Sequence, residues 1–155
     1  MSFERLQDKI REMKNPTVAG LDPKLEYVPS FIMEDKLKQY GQTLRCAAEA
    51  IYEYNVGLID ALCDVVPAVK PQSAFYERFG FEGVEALKRT VDYAKSKGLY
   101  VIMDAKRGDI GSTAEGYSDA YLGSVKVGET EIEPFGCDCL TINAYLGSDG
   151  INPFI

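Results

Sequence analysis

The chain has 155 residues, of which 46% are hydrophobic and 26% are charged, and its formal net charge is −7. This length predicts one domain, and the acidic balance argues against nucleic acid as a partner, because affinity for a phosphate backbone needs a clustered basic face. No apolar run approaches the ~20 residues of a membrane span, and the absence of histidine leaves carboxylates and lysines as the groups for acid–base chemistry.

Short apolar runs alternate with longer segments of helical period. The first run, residues 17–21, ends at Asp22, and a helical segment follows Pro29. Apolar residues in that segment recur mostly at the spacing of one helix face: Leu44, Ala47, Ala48, Ile51, Leu58, Ile59 and Leu62. The pattern therefore predicts a strand followed by a helical region.

The second and third runs repeat this order. Residues 65–69 form an apolar run that ends at Lys70, and residues 99–103 form another that ends at Asp104. Between them, a segment stopped by Gly98 predicts an amphipathic helix, with its apolar face at Val84, Leu87, Val91 and Ala94.

The last part of the chain predicts one more helix and one more strand. A helix is expected over residues 112–125, with Ser112 or Thr113 near its N-cap. The fourth apolar run, residues 139–142, ends at Asn143.

Continuously apolar strands are typical of a parallel sheet that is buried on both faces. Both a doubly wound sheet and a β/α barrel fit the alternating order, but no Gly-x-Gly-x-x-Gly loop follows the first strand. Polar residues at the strand ends favour the barrel, because barrel active sites lie at the carboxyl ends of the strands: Asp22, Lys70, Asp104, Lys106 and Asn143. We predict an α/β fold of the parallel (β/α)8 TIM-barrel type.

The chain is shorter than such a barrel, which typically needs ~250 residues. Asn152-Pro153 is a good helix opening, and the sequence ends two residues later. We therefore expect residues 1–155 to be the N-terminal half of a single barrel domain, with about four of eight βα units and without the C-terminal half.

The four cysteines do not have the spacing of zinc ligands, and we expect buried thiols in a cytoplasmic protein without a metal site: Cys46, Cys63, Cys137 and Cys139. The polar start of the chain, residues 1–5, lacks the pattern of a signal peptide.

Charged residues of alternating sign follow the third run. Asp104 and Lys106 point to the same side if the strand continues through Lys106, and Asp109 lies in the next loop, between Gly108 and Gly111. We expect these glycines to let the loop leave the strand sharply. Charges at strand ends are often only a solvated, salt-bridged rim.

Lys70, at the end of the previous strand, makes a functional array the better interpretation. Opposite charges side by side keep each group ionised and hold ammonium groups in place without solvent reorganisation. Such an array suits a reaction that expels a carboxylate and protonates a carbanion.

The pattern Asp-x-Lys-x-x-Asp, followed by Ile110 and Thr113, resembles the signature of the orotidine 5′-phosphate decarboxylase family. Blocks in chain order are similar to its longer bacterial subgroup: residues 20–23, 70–77, 104–114, 140–143 and 147–149. The resemblance implies a TIM-barrel enzyme of de novo pyrimidine biosynthesis that converts orotidine 5′-monophosphate to uridine 5′-monophosphate.

The resemblance also implies a role for each matching residue. Lys70, Asp104, Lys106 and Asp109 would form the catalytic charge network, in which Asp104 faces the substrate carboxylate and Lys106 protonates C6 of the pyrimidine. Lys70 and Asp22 would bind the ribose hydroxyls.

Further substrate-binding residues implied by the family are Ile110 and Thr113. The residues that match Asp109 and Thr113 reach into the partner's site, so the enzyme would be a homodimer with shared sites and without metal or organic cofactor. The pyrimidine and phosphate contacts would lie beyond Ile155, and we expect the 155-residue chain alone to be inactive.

Three alternatives remain open. Magnesium-dependent keto-sugar-phosphate decarboxylases and hexulose-phosphate synthases share Asp-x-Lys-x-x-Asp, although residues 107–113 favour the orotidylate enzyme. A Schiff-base aldolase using Lys70 or Lys106 would need a neutral amine, which flanking carboxylates disfavour. A non-catalytic half-barrel fragment would expose unpaired strand edges that promote association.

Overall fold

The computed structural model describes residues 2–155. The chain divides into two compact units, Met1–Val101 and Ile102–Ile155. Strand β3 (Tyr100–Arg107) begins in the first unit and continues into the second. Among the helices of residues 2–155, none is both long enough and apolar enough to cross a membrane.

The strands of the first unit pair in parallel. Strand β1 (Val18–Leu21) pairs with β2 (Ala68–Pro71), with Val18 opposite Ala68 and Gly20 opposite Lys70. Strand β2 in turn pairs with the first residues of β3, with Val69 opposite Val101. Helices intervene between successive strands, which confirms the predicted α/β class with a parallel sheet.

Several helices of the first unit were either not predicted from the sequence pattern or not separated from a neighbouring helix. Helix α1 (Ser2–Met13) was not predicted, although Phe3, Leu6, Ile10 and Met13 recur at helical spacing, and none of its side chains is buried. The segment after Pro29 forms two helices instead of one, because Gly41 adopts a left-handed φ of 62°. The remaining helical elements are the 3₁₀ helix Leu25–Tyr27, α2 (Ser30–Tyr40), α3 (Leu44–Leu62), α4 (Ala74–Glu77) and α5 (Gly80–Ser96).

The core of the first unit lies between α3, α5 and the sheet. The Thr43 hydroxyl caps α3 by accepting a hydrogen bond from the Cys46 N–H at 3.1 Å, which orients the helix for packing. The side chains that close the core are at most 1% exposed: Ala50, Ile51, Ile59, Val69, Leu87, Val91, Ala94 and Val101.

The expectation that every strand is buried on both faces is wrong for β1, and also for the last strand, Cys139–Ile142, whose residues are all half-buried. Val18 is 41% exposed and Gly20 is exposed, whereas Val69 and Val101 in β2 and β3 are fully buried. Within residues 2–155, β1 is hydrogen-bonded only to β2, so it has a neighbour on one side alone. An apolar run therefore predicted the strand but not its position at the edge of the sheet.

In the second unit, β3 continues from Ile102 and pairs in parallel with β6 (Cys139–Ile142). Helix α6 (Gly111–Tyr121) lies between them in sequence. An antiparallel hairpin of β4 (Val125–Val127) and β5 (Thr130–Ile132) follows α6. The helix opening at Asn152-Pro153 takes the form of a 3₁₀ helix, Asn152–Phe154, after a first one at Ser148–Gly150.

The helix predicted from about residue 112 to residue 125 is confirmed at its start to within one residue and is wrong at its end. It begins one residue earlier, after Ile110 in extended conformation, so Ser112 and Thr113 lie in its first turn and not at the N-cap. It stops at Tyr121, and Val125 lies in a strand. Alternating β-branched residues around Gly128, with a φ of 62°, favour a hairpin there.

Two helix glycines provide a matched test of core packing. A methyl group on Gly83, in α5, would overlap the Tyr76 carbonyl oxygen and lie 2.9 Å from the Phe79 Cβ, whereas one on Gly57, in α3, would meet nothing within 4 Å. We expect Gly83→Ala to lower the free energy of unfolding by about 1–3 kcal/mol through overpacking. Gly57→Ala should raise it by about 0.5–1 kcal/mol. Chemical denaturation measures both, and equal effects would contradict the packing argument.

Candidate active site

Asp104 and Lys106 form an ion pair at the carboxyl end of β3. Lys106 Nζ donates to Asp104 Oδ1 at 2.7 Å, with the aspartate side chain 11% exposed and the lysine side chain 64% exposed. The strand continues through Lys106, and the two side chains meet on one side as predicted. The pair thus places a solvent-accessible ammonium beside a largely buried carboxylate on the strand.

The backbone at this pair is irregular. The register between β3 and β6 shifts between Met103 and Arg107, and Lys106 has a φ of 50°. A left-handed backbone is uncommon for residues other than glycine, asparagine and aspartate. The position of the Lys106 ammonium therefore depends on contacts that hold this conformation.

Thr141, on the neighbouring strand β6, contacts both members of the pair. Its hydroxyl donates to Asp104 Oδ1 at 2.9 Å and accepts from the Lys106 backbone N–H at 3.0 Å. Sequence analysis did not single out this residue. The available signal was a hydroxyl side chain within the otherwise apolar run of residues 139–142.

Arg107 connects the end of β3 to α6. Its guanidinium lies over the rings of Tyr117 and Tyr121, 5.4 and 5.6 Å from their centroids, and donates to the Tyr121 hydroxyl at 3.1 Å. Tyr121 in turn stacks on Phe135, with the ring centroids 4.9 Å apart. These contacts hold Arg107, at the end of β3, against helix α6, and so position the two ends of the loop between them.

The loop after Arg107 carries the other predicted residues of this unit. Asp109 Oδ1 accepts a hydrogen bond from the Ile110 N–H at 2.8 Å, so its carboxylate contacts its own loop and not Lys106. Ile110 is 59% exposed and Thr113 is exposed. The structure thus brings Asp104 and Lys106 together, whereas Asp109 is half-buried in the loop and Ile110 and Thr113 are exposed before and in the first turn of α6.

Glycine is required at the two loop positions, 108 and 111, for different reasons. Gly111 adopts a left-handed φ of 52°, as expected for a sharp turn. Gly108 does not need a positive φ, but a Cβ there would lie 2.8 Å from the Asn143 carbonyl oxygen. Close approach to β6, and not backbone freedom, therefore requires glycine at this position.

In the first unit, Asp22 and Lys70 lie at the carboxyl ends of neighbouring parallel strands. Strand β2 begins at Ala68, three residues into the apolar run, and extends through Pro71, so the half-buried Lys70 lies at its end as predicted, opposite Gly20. Asp22 follows β1 directly, is exposed, and lines a cavity of about 230 Å³. A carboxylate at an open cavity can accept hydrogen bonds from a ligand that carries hydroxyl groups.

A buried polar network supports the segment before Asp22. The Tyr76 hydroxyl donates to the Leu21 carbonyl at 3.2 Å and accepts from Asn55 Nδ2 at 2.9 Å. Asn55 also donates to Thr90 Oγ1 at 3.3 Å, and the Thr90 hydroxyl donates to the Ala86 carbonyl. Helices α3, α4 and α5 are in this way tied to the end of β1.

The network gives a pH-dependent prediction. Burial raises the pKa of Tyr76 above its ordinary value, so the folded chain keeps this proton after the unfolded chain has lost it. The free energy of unfolding should fall above pH ~10, by up to about 1.4 kcal/mol per pH unit from this one group. We expect Tyr76→Phe to remove that part of the slope in denaturation curves between pH 9 and 11.

At neutral pH, Tyr76→Phe should also cost about 1–3 kcal/mol, because it removes the hydroxyl partner of a buried asparagine. Tyr145, which is 92% exposed, supplies the control. Tyr145→Phe should change stability at neutral pH by less than about 0.5 kcal/mol. An unchanged alkaline slope in Tyr76→Phe would contradict the assignment to Tyr76.

All four cysteines are free thiols, with Cys46 and Cys137 buried. Within residues 2–155, no group of three or more histidine, cysteine, aspartate or glutamate side chains is arranged to hold a metal ion.

Comparison with known proteins assigns the chain to a family. Residues 17–155 match the Orotidine 5′-phosphate decarboxylase / HUMPS family. An orotidine 5′-phosphate decarboxylase of Caldicellulosiruptor saccharolyticus is 40% identical over 152 residues, which cover 98% of this chain and 50% of that protein. The enzyme of the same name from Rhodopirellula baltica is 42% identical over 139 residues, covering 90% of this chain and 44% of its own length.

A solved structure supports the same relationship. The OMP decarboxylase of Leishmania donovani superposes with a TM-score of 0.72 at 27% sequence identity, covering 99% of this chain and 48% of the other. The chain thus spans about half the length of the curated relatives it matches.

Proposed function

This chain belongs to the Orotidine 5′-phosphate decarboxylase / HUMPS family, and on that basis we propose that the protein decarboxylates orotidine 5′-monophosphate to uridine 5′-monophosphate in pyrimidine biosynthesis. The observation that carries the proposal is the Asp104–Lys106 pair, 2.7 Å apart at the end of a buried parallel strand. The pair supplies the two groups that a cofactor-free decarboxylation needs, a fixed negative charge and a proton donor.

In the proposed reaction, the bond between C6 and the carboxylate breaks and its electrons remain on C6. Lys106 stabilises the developing carbanion through its positive charge and then transfers a proton to C6. An ammonium that is already oriented stabilises such a charge without the reorganisation that water would require. Asp104 contributes by holding the ammonium in position, and carbon dioxide leaves from the side of the aspartate.

The other residues take the roles that the family resemblance implies. Lys70 and Asp22 bind the ribose hydroxyls from the carboxyl ends of the neighbouring strands β1 and β2. Asp109, Ile110 and Thr113 contact the substrate of a partner subunit, which makes the active form a homodimer. The exposed Ile110 and Thr113 support this arrangement. The proposal places the protein in the cytoplasm, where free thiols such as those of this chain persist.

The decisive experiment is a decarboxylation assay. The gene product read through to its stop codon, called here the full-length protein, is incubated with orotidine 5′-monophosphate, with and without a chelator of divalent cations. We expect stoichiometric release of carbon dioxide and uridine 5′-monophosphate in both samples. Turnover that requires magnesium, or acts on a keto-sugar phosphate instead, would favour the related decarboxylases and synthases.

We further propose that the 155-residue chain alone turns over little substrate. Binding energy from parts of the substrate remote from the reacting carbon supports the chemical step in enzymes, and the chain spans only about half the length of its relatives. The same assay on the purified 155-residue chain tests this statement, and turnover comparable to that of intact relatives would refute it.

A further inference from the structure

Thr141 is the residue that joins the two halves of the Asp104–Lys106 pair. Its single hydroxyl donates to the Asp104 carboxylate at 2.9 Å and accepts from the Lys106 N–H at 3.0 Å. One side chain on β6 therefore contacts both the side chain of Asp104 and the backbone of Lys106. Nothing in the signature Asp-x-Lys-x-x-Asp specifies such a group.

The backbone contact matters because Lys106 has a φ of 50°. A lysine in this region persists only where the surroundings hold it. Regular pairing with β6 is interrupted between Met103 and Arg107, so the ladder does not provide the contact. The Thr141 hydroxyl accepts the hydrogen bond of the Lys106 N–H that a backbone carbonyl of β6 would accept in a regular sheet.

The carboxylate contact matters for a different reason. Asp104 Oδ1 receives hydrogen bonds from the Lys106 ammonium and from the Thr141 hydroxyl. When the ammonium gives up its proton, the charge that compensates Asp104 at this oxygen disappears. The hydroxyl remains as a donor, so the carboxylate keeps its orientation and can receive the lysine again after reprotonation.

From this geometry we infer that Thr141 is a positioning residue for the proton donor Lys106, acting through the Lys106 backbone and the Asp104 carboxylate. The inference rests on the proposed decarboxylation. It requires a hydroxyl group at position 141, and it assigns no contact with the substrate to Thr141.

The test compares variants that keep or remove the hydroxyl. Thr141→Val preserves the shape without the hydroxyl, Thr141→Ser preserves the hydroxyl, and Thr130→Val makes the same change in the exposed hairpin. In the full-length protein, Thr141→Val should lower kcat by about 10²-fold, as expected for a small misplacement of a reacting group. KM should stay within about twofold because the substrate contacts are unchanged. Thr141→Ser should restore most of kcat, and Thr130→Val should not affect it.

A second readout does not depend on activity. In the 155-residue chain, amide hydrogen exchange at Lys106 should become faster in Thr141→Val and remain slow in Thr141→Ser, while the buried Val101 amide stays protected in both. Equal kcat in Thr141→Val and the unsubstituted full-length protein, or unchanged exchange at Lys106, would overturn the inference.

The outcomes separate this inference from the proposed function. If the unsubstituted full-length protein releases no carbon dioxide, the proposed function fails, and with it the catalytic part of the inference. If it does release carbon dioxide but Thr141→Val is as active, only the role of Thr141 fails. Loss of Val101 protection in Thr141→Val with poor rescue by Thr141→Ser would mean that the residue acts in folding, which also overturns the positioning role.

Discussion

Lys106→Ala is expected to abolish product formation by the full-length protein. A general acid contributes typically about 10²–10⁴-fold, and loss of the oriented positive charge beside the developing carbanion adds to that. We therefore expect a fall of more than about 10⁴-fold in kcat. The assay is carbon dioxide release under substrate saturation, with detection sensitive enough to measure the residual rate.

The fold should survive this change. The Lys106 side chain is 64% exposed, but Asp104 is only 11% exposed and loses a charge-assisted hydrogen bond, so we expect a loss of about 1–3 kcal/mol in the free energy of unfolding. Lys126→Ala, in the exposed strand β4, is the matched control that removes a lysine away from the proposed chemistry. Near-normal turnover in Lys106→Ala, with Lys126→Ala also normal, would contradict the role of Lys106 as proton donor.

Mixing two inactive variants should restore activity if Asp109 acts in the partner's site. In a dimer of one Lys106→Ala chain and one Asp109→Ala chain, one site combines Lys106 and Asp109 from different chains and is intact, while the other has neither. Random pairing makes half of the dimers mixed, so roughly a quarter of the parental activity should return.

The hydrogen bond of Asp109 with its own neighbour motivates this experiment. Within residues 2–155 the carboxylate accepts from the Ile110 N–H, and it makes no pair with Lys106 of the same chain. Subunit exchange must first be verified with differently tagged chains. If the exchanged mixture remains as inactive as each variant alone, Asp109 acts within its own subunit and the shared-site proposal fails.

The position of the charged pair could be predicted from local sequence. An apolar run predicted the approximate place of β3, and Asp104 and Lys106 do meet at its end, although through an irregular backbone at Lys106 and not through the regular period of a strand. The same reasoning located the other parallel strands within a few residues. Both predictions rest on the spacing of apolar and charged residues along the chain, and this information is present in a single sequence.

Contacts between distant segments were not predictable in this way. Thr141 is 37 residues from Asp104, and its hydroxyl can contact Asp104 only because β6 pairs with β3 in the folded chain. The network from Asn55 through Tyr76 to Leu21 likewise joins segments that sequence spacing does not relate. The hairpin after α6 was missed because Val125 also fitted the end of an amphipathic helix.

Lys106 has a left-handed backbone, so the residue that would be most stable at this position is not the residue that the proposed chemistry requires. Glycine or asparagine would adopt that conformation with less strain, yet neither carries an ammonium. Protein evolution under selection for stability alone commonly drifts away from such residues at the expense of activity. A library screened only for folded, well-expressed protein should therefore enrich glycine or asparagine in place of Lys106, whereas a screen for pyrimidine prototrophy should retain the lysine.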